Sequence, residues 1–321
     1  MLAFRIASLS VGILLLLALL FSYIFYHIAF ARGRHPRTDP YYGLGADSAY
    51  SEEQIVRIRA LVDRSLSLPF ESVQTTSRDG LRLAGKYYHT KDGAPIALMC
   101  HGYRSVSRRD FAGGYPDLLD LGYNVLLIDE RAHGDSEGKV ISFGVKERFD
   151  VLSWISFLTE RFGAETEILL FGISMGAATV LMSLALDPPK NVAGIVADCP
   201  FSSPADILRK VGRDMKLPVA LCMPAARIGA RLFGGFSLDG ASAVEAVTHR
   251  TDVPVLLFHG EADTFVPCEM SRKIAEAGGG HIRFLSFPGA DHGLSFLSDP
   301  ARYRAELTAF LDRVFDRREE K

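Results

Sequence analysis

The chain has 321 residues, 48% hydrophobic and 23% charged, with a formal net charge of −2. That composition suits an ordinary globular domain plus one more apolar element, and it excludes a low-complexity or disordered chain. The near-neutral balance argues against nucleic acid as a partner.

The apolar element comes first. From Ile6 to Ala31 no residue carries a permanent charge, about 26 positions, enough to span a bilayer with some tilt. Tyr23, Tyr26 and His27 fall where an interfacial aromatic belt would lie. Ala29-Phe30-Ala31 also fits an A-x-A cleavage site, but the apolar core of a cleaved signal is usually about 7–15 residues. Residues 1–31 are therefore expected to be a membrane anchor. Arg5 precedes it, and Arg32, Arg34 and Arg37 follow, a cationic excess pointing the rest of the chain toward the cytoplasm. The margin is too small to assign the side.

Residues 32–66 read as a linker and a juxtamembrane helix. The first part is polar and turn-rich, with His35 in it. The second, "SEEQIVRIRALVDRSL", opens on a capping box of Ser51 and Gln54 and puts Ile55, Ile58, Val62 and Leu66 on one face. Residues 67–321 form the main domain. "FESVQTTS" and "LRLAGKYYHT", separated by Asp79-Gly80, predict a hairpin.

From there, short apolar runs alternate with helix-length segments. The runs are "PIALMCHG", "NVLLIDERAHG", "ILLFGIS", "VAGIVADCP", "VPVLLFHGEAD" and "IRFLSFPGADHG". Helices are expected over 147–162, 175–187, 269–277 and 300–316. The alternation predicts an α/β fold with about eight strands, mostly parallel, helices on both faces and reactive groups at the strands' C-terminal ends. One connection, about 201–250, is far longer than a crossover requires. It is expected to form a small helical cap that adds apolar contacts over the site.

"ILLFGISMGAATV" (168–180) runs a strand into Gly172-Ile173-Ser174-Met175-Gly176 and then into a helix. The motif is common by chance, but its strand–turn–helix setting marks Ser174 as a nucleophile, with the glycines giving clearance. A serine needs a base, and the base needs an orienting acid. His292, in a loop after the last strand, is the candidate base. Asp263 is the expected acid, with Asp198 as the main rival; Glu261 reads as a turn residue, and Asp291 adjoins the base too closely. Backbone amides of Met175 and Tyr103 are the expected oxyanion donors, with His101 shaping the turn. Four cysteines without C-x-x-C spacing, and no histidine cluster at ligand spacing, predict buried free thiols and no metal site.

Together "HGY" (101–103), "DERAHGDSEG" (129–138), "GISMG" (172–176), "HGEADTFVP" (259–267) and "GADHG" (289–293) resemble the α/β-hydrolase superfamily, in its motif order. With the N-terminal span, the chain is similar to membrane-anchored α/β-hydrolase-domain proteins near the serine-aminopeptidase-like branch. The resemblance implies a serine hydrolase that cleaves carboxylic esters of acyl lipids, or acylated proteins and thioesters, through an acyl-enzyme. A peptidase or amidase is the alternative, and a non-catalytic scaffold a third reading. It implies no cofactor and no metal. The expected partners are a small or acylated substrate and a membrane.

Overall fold

In a computed structural model that describes residues 1–33, 38–45 and 50–319, eight strands form one sheet in the order β1-β2-β4-β3-β5-β6-β7-β8. Arg34 and Arg37, counted above for membrane orientation, and His35 lie outside the described residues. The hairpin is β1 (Glu71–Thr76) and β2 (Arg82–Tyr88), and β2 pairs antiparallel with β4 (Asn124–Ile128). β3 (Ile96–Cys100), β5 (Ile168–Ile173), β6 (Val192–Asp198), β7 (Val255–Gly260) and β8 (Ile282–Phe287) run parallel with β4.

The strands from β3 to β7 are apolar on both faces because helices cover both. In β3, Ile96, Leu98 and Cys100 join one buried cluster while Ala97 and Met99 join the other. That is the two-residue period of a pleated strand. The first cluster contains residues of α5 (Glu147–Phe162), α6 (Met175–Ser183), α9 (Ala243–Ala246) and α10 (Glu269–Gly278). The second holds α4 (Tyr115–Asp120) and α12 (Pro300–Glu319) against the opposite face, with Phe111 just after α3 (Ser107–Asp110). α11 (Ser295–Ser298) closes the loop after β8.

α2 (Glu52–Leu66) begins with the expected capping box: the Gln54 amide donates to Ser51 Oγ and the Ser51 amide to Gln54 Oε1. Ile58 and Val62 are its buried apolar positions, packed with Leu44, Ala112, Leu294 and Leu297 in a separate small cluster. The long connection after β6 folds as α7 (Pro204–Asp214), α8 (Val219–Leu232) and α9.

α1 (Leu2–Ala29) is the one described helix long and apolar enough to cross a membrane; a signal sequence would pass the same test. Its C-terminal end is built into the domain. Phe30 is fully buried between the rings of Phe143 and Phe236, and Ala31 bridges Val140.

Candidate active site

Ser174 sits between the end of β5 and the start of α6 with φ 54° and ψ −113°, a backbone state unfavourable for a residue with a Cβ. The flanking glycines make that turn possible by close approach. A Cβ on Gly172 would lie 2.3 Å from the Gly176 backbone, and one on Gly176 only 1.9 Å from the Cys100 carbonyl oxygen. The turn is thus pressed onto the end of β3, and Gly102 follows immediately beside Ser174.

The structure brings together three of the predicted side chains. His292 Nε2 lies 2.9 Å from Ser174 Oγ, and His292 Nδ1 lies 2.7 Å from Asp263 Oδ2. In the tautomer that satisfies both contacts, Nδ1–H donates to Asp263 and Nε2 accepts from the serine hydroxyl. Asp263 Oδ1 accepts from the amides of Phe265 (2.9 Å) and Val266 (2.7 Å). Burial pushes this carboxyl up, yet hydrogen bonds from His259 and His292 outweigh it and hold it well below the usual carboxylate range.

The rival acids lie elsewhere. Asp198 accepts from Ser295 Oγ at 3.0 Å, and burial pushes its carboxyl up. Asp291 accepts the Thr264 and His292 amides, and Glu261 accepts from Ser286 Oγ. Each carboxylate therefore has a local duty that leaves the imidazole to Asp263.

The "HGY" loop is anchored on three sides. The buried His101 donates from Nδ1 to the Gly102 carbonyl (2.8 Å) and accepts the Glu130 amide at Nε2 (3.1 Å). Burial disfavours its charged form. The Gly102 amide donates to Asp110 Oδ2 at 2.9 Å, and Ser105 Oγ donates to Asp110 Oδ1. The Arg104 amide donates to His133 Nε2 at 2.9 Å, which gives the "DERAHGDSEG" loop its use as a brace. Tyr103 stacks on Phe143 and donates its hydroxyl to the Ala29 carbonyl. Met175 is fully buried at the first turn of α6.

Sequence reasoning missed two supports. His259 contacts Asp263 Oδ2 at 3.2 Å, with its ring fixed by Ser271 Oγ and the Val266 carbonyl. Its spacing of four residues from Asp263 across one strand end was the available signal. Asp110 had none: its partner Gly102 lies eight residues away, across a loop and a turn of helix.

A cavity of about 220 Å³ opens beside Ser174 and His292. Its walls are Ile58 and Leu61 of α2, Phe171, Leu294, Phe296 and Leu297, with Ser105, Arg109, Asp110 and Asp198 as polar lining. Among its described lining residues none comes from 201–250, so the expected cap contacts are not found there. α2 lines the site instead, with its apolar face buried against Leu44, Ala112, Leu294 and Leu297.

All four cysteines are buried and unpaired. Cys199 Sγ lies with Asp263 and His292 in a group small enough to hold a metal ion. The donor set fits one poorly. Burial pushes the Cys199 thiol well up, and the other two donors already share a proton.

A serine on a strained strand–helix turn, with an acid and a histidine from the last two strand ends of a doubly wound sheet, defines an α/β hydrolase. A family model described as "alpha/beta hydrolase fold" matches residues 95–221. The uncharacterized protein YqkD of Bacillus subtilis is 27% identical over 273 residues, covering 83% of this chain and 88% of that protein. The uncharacterized protein Rv2307c of Mycobacterium tuberculosis is 30% identical over 223 residues, 68% of this chain and 71% of that protein. Among solved structures, the Pyrococcus furiosus esterase Pf2001 superposes with a TM-score of 0.63 at 26% identity, covering 78% of this chain and 95% of the esterase. The chain belongs to the alpha/beta hydrolase fold family.

Proposed function

We propose that this protein is a membrane-tethered serine hydrolase that cleaves carboxylic esters or thioesters through an acyl-enzyme. One observation carries the reading: an unbroken line of hydrogen bonds from Asp263 through His292 to Ser174, ending on a strained turn. Ser174 Oγ attacks the acyl carbon as His292 Nε2 takes its proton, and Asp263 stabilises the imidazolium without accepting that proton. The amides of Tyr103 and Met175 hold the oxyanion. His292 then protonates the leaving alkoxide or thiolate. Water, deprotonated by the same imidazole, releases the acid and restores Ser174.

The cavity's apolar walls suit an acyl group. At about 220 Å³ it is smaller than the ~300–1,000 Å³ of drug-sized sites, which favours short acyl chains. The similarity to an esterase supports the ester class. α1 would anchor the enzyme in a membrane, so that acylated molecules near a lipid surface are its substrates.

Fluorophosphonate labelling tests the chemistry. Wild type takes the label and Ser174→Ala does not, with an unchanged melting temperature. Folded wild type that stays unlabelled refutes the reading. Graded p-nitrophenyl esters against aminoacyl anilides then separate esterase from peptidase.

A further inference from the structure

α8 presents an apolar stripe to solvent along its whole length. Leu221 is 67% exposed, Ile228 38% and Leu232 60%, with Pro224 exposed between them. Spacings of three and four residues put these side chains on one face of the helix. Just before α8, Met215 (61%) and Leu217 (38%) continue the apolar surface. The opposite face, Met223, Ala226 and Ala230, is buried, as are Cys222, Ala225 and Gly229 on the side between.

That buried surface includes the contact with α1. A Cβ added at Gly229 would lie 2.6 Å from the Ser22 carbonyl oxygen, and the Phe233 ring packs edge-on against Tyr23 at 5.1 Å. Ser22 lies seven residues before the end of α1, about 10 Å inside the apolar helix at 1.5 Å per residue. The C-terminal part of α8 is thus held level with Tyr23 and Tyr26, the aromatic residues suited to a lipid–water boundary. Arg213 and Lys216 flank Met215 in the chain, Arg231 precedes Leu232, and all three are exposed.

We propose that α8 is a second membrane contact: its Leu221–Ile228–Leu232 face lies in the lipid headgroup–acyl boundary of the bilayer that α1 enters. The occupant is lipid because the stripe adjoins the exposed apolar surface of α1. A helix with one apolar face in that boundary and basic neighbours is a stable interfacial element. The arrangement also fixes the site's attitude to the membrane, since Tyr103 and Arg104 of the "HGY" loop donate to carbonyls of Ala29, Ile28 and Ala31 at the end of α1. The inference rests on the reading of α1 as a membrane anchor.

The test uses the full chain returned to vesicles of phosphatidylcholine brominated in the upper part of its acyl chains. Leu221→Trp and Leu16→Trp each add one fluorophore to the single, fully buried Trp154, whose signal is subtracted. Quenching of the Leu221→Trp signal at least about half that of Leu16→Trp supports the proposal. Quenching of Leu16→Trp alone leaves the anchor standing and overturns the α8 contact. Absence of quenching at both sites overturns the anchor reading and the α8 proposal with it. A blue-shifted but unquenched Leu221→Trp signal means protein covers the stripe, as in a second copy, and also overturns the proposal.

Discussion

Asp263→Asn is the sharpest perturbation of the site. The amide oxygen can keep the two bonds that Oδ1 accepts from Phe265 (2.9 Å) and Val266 (2.7 Å). Those bonds fix the side chain so that the new NH₂ group replaces Oδ2, facing His292 Nδ1 at the former 2.7 Å contact. A donor there pairs with an unprotonated Nδ1, leaving the imidazole proton on Nε2, against Ser174 Oγ. The base is then in the wrong tautomer. Turnover should fall about 10⁴-fold, the size expected when a triad carboxylate becomes an amide, or about 5 kcal/mol of barrier. KM should hardly move, because the cavity walls are untouched. The same NH₂ group also meets His259, and a mispaired buried donor costs about 1–3 kcal/mol of stability.

The stability loss has its own pH signature. The carboxyl of Asp263 is depressed in the folded state, so its contribution is present above the unfolded value of about 3.9 and disappears as pH falls toward the folded value. The gap between wild type and variant should therefore be constant near neutrality and narrow in acid. Initial rates on p-nitrophenyl butyrate and urea unfolding at two pH values check both parts. Activity within about tenfold of wild type would refute the tautomer argument, most directly if Asp198→Asn carried the loss instead.

Gly176→Ala should lower stability by about 3 kcal/mol or more, read by denaturant midpoint, since its Cβ would meet backbone at 1.9 Å. Asp110→Ala removes the acceptor of the Gly102 amide; kcat should drop about 10–100-fold with little change in KM. Asp110→Asn, which keeps an acceptor, should recover part of that loss. Ile58→Ala deepens the cavity under α2, and kcat/KM should shift about tenfold toward longer acyl esters in a chain-length series.

The elements with strong local pattern were legible. The run 147–162 coincides with α5, and the Ser51 capping box marks the start of α2 as expected. The strand ends were legible too, because both-face burial leaves uninterrupted apolar runs that stop at polar loops. α3, α4 and α11 were not read, being four to six residues long and carrying too few turns for a 3.6-residue period to register. The role of the 201–250 insertion could not be read either. Its length predicts helices over the domain, but which helix lines the cavity depends on where α2 finds a partner for Ile58 and Val62. That partner is supplied by Leu294 and Leu297, more than two hundred residues away.

The site divides in the same way. Ser174, Asp263 and His292 sit at turns whose neighbouring glycines and strand ends announce them. The groups that hold them do not, because their bonds cross the sequence. Asp110 reaches Gly102, His133 reaches Arg104, and the end of α1 accepts from Tyr103 and Arg104 across more than seventy residues. Each of these bonds converges on a single loop, 101–104. A loop that, as proposed, presents one amide to a developing oxyanion tolerates little displacement. Three independent ties limit its movement more than any one could. One of the three comes from the helix proposed to enter the bilayer, through the Tyr103 hydroxyl and the Arg104 guanidinium. If α1 anchors the chain as proposed, a bilayer would bear on the loop beside Ser174 as well as tether the domain.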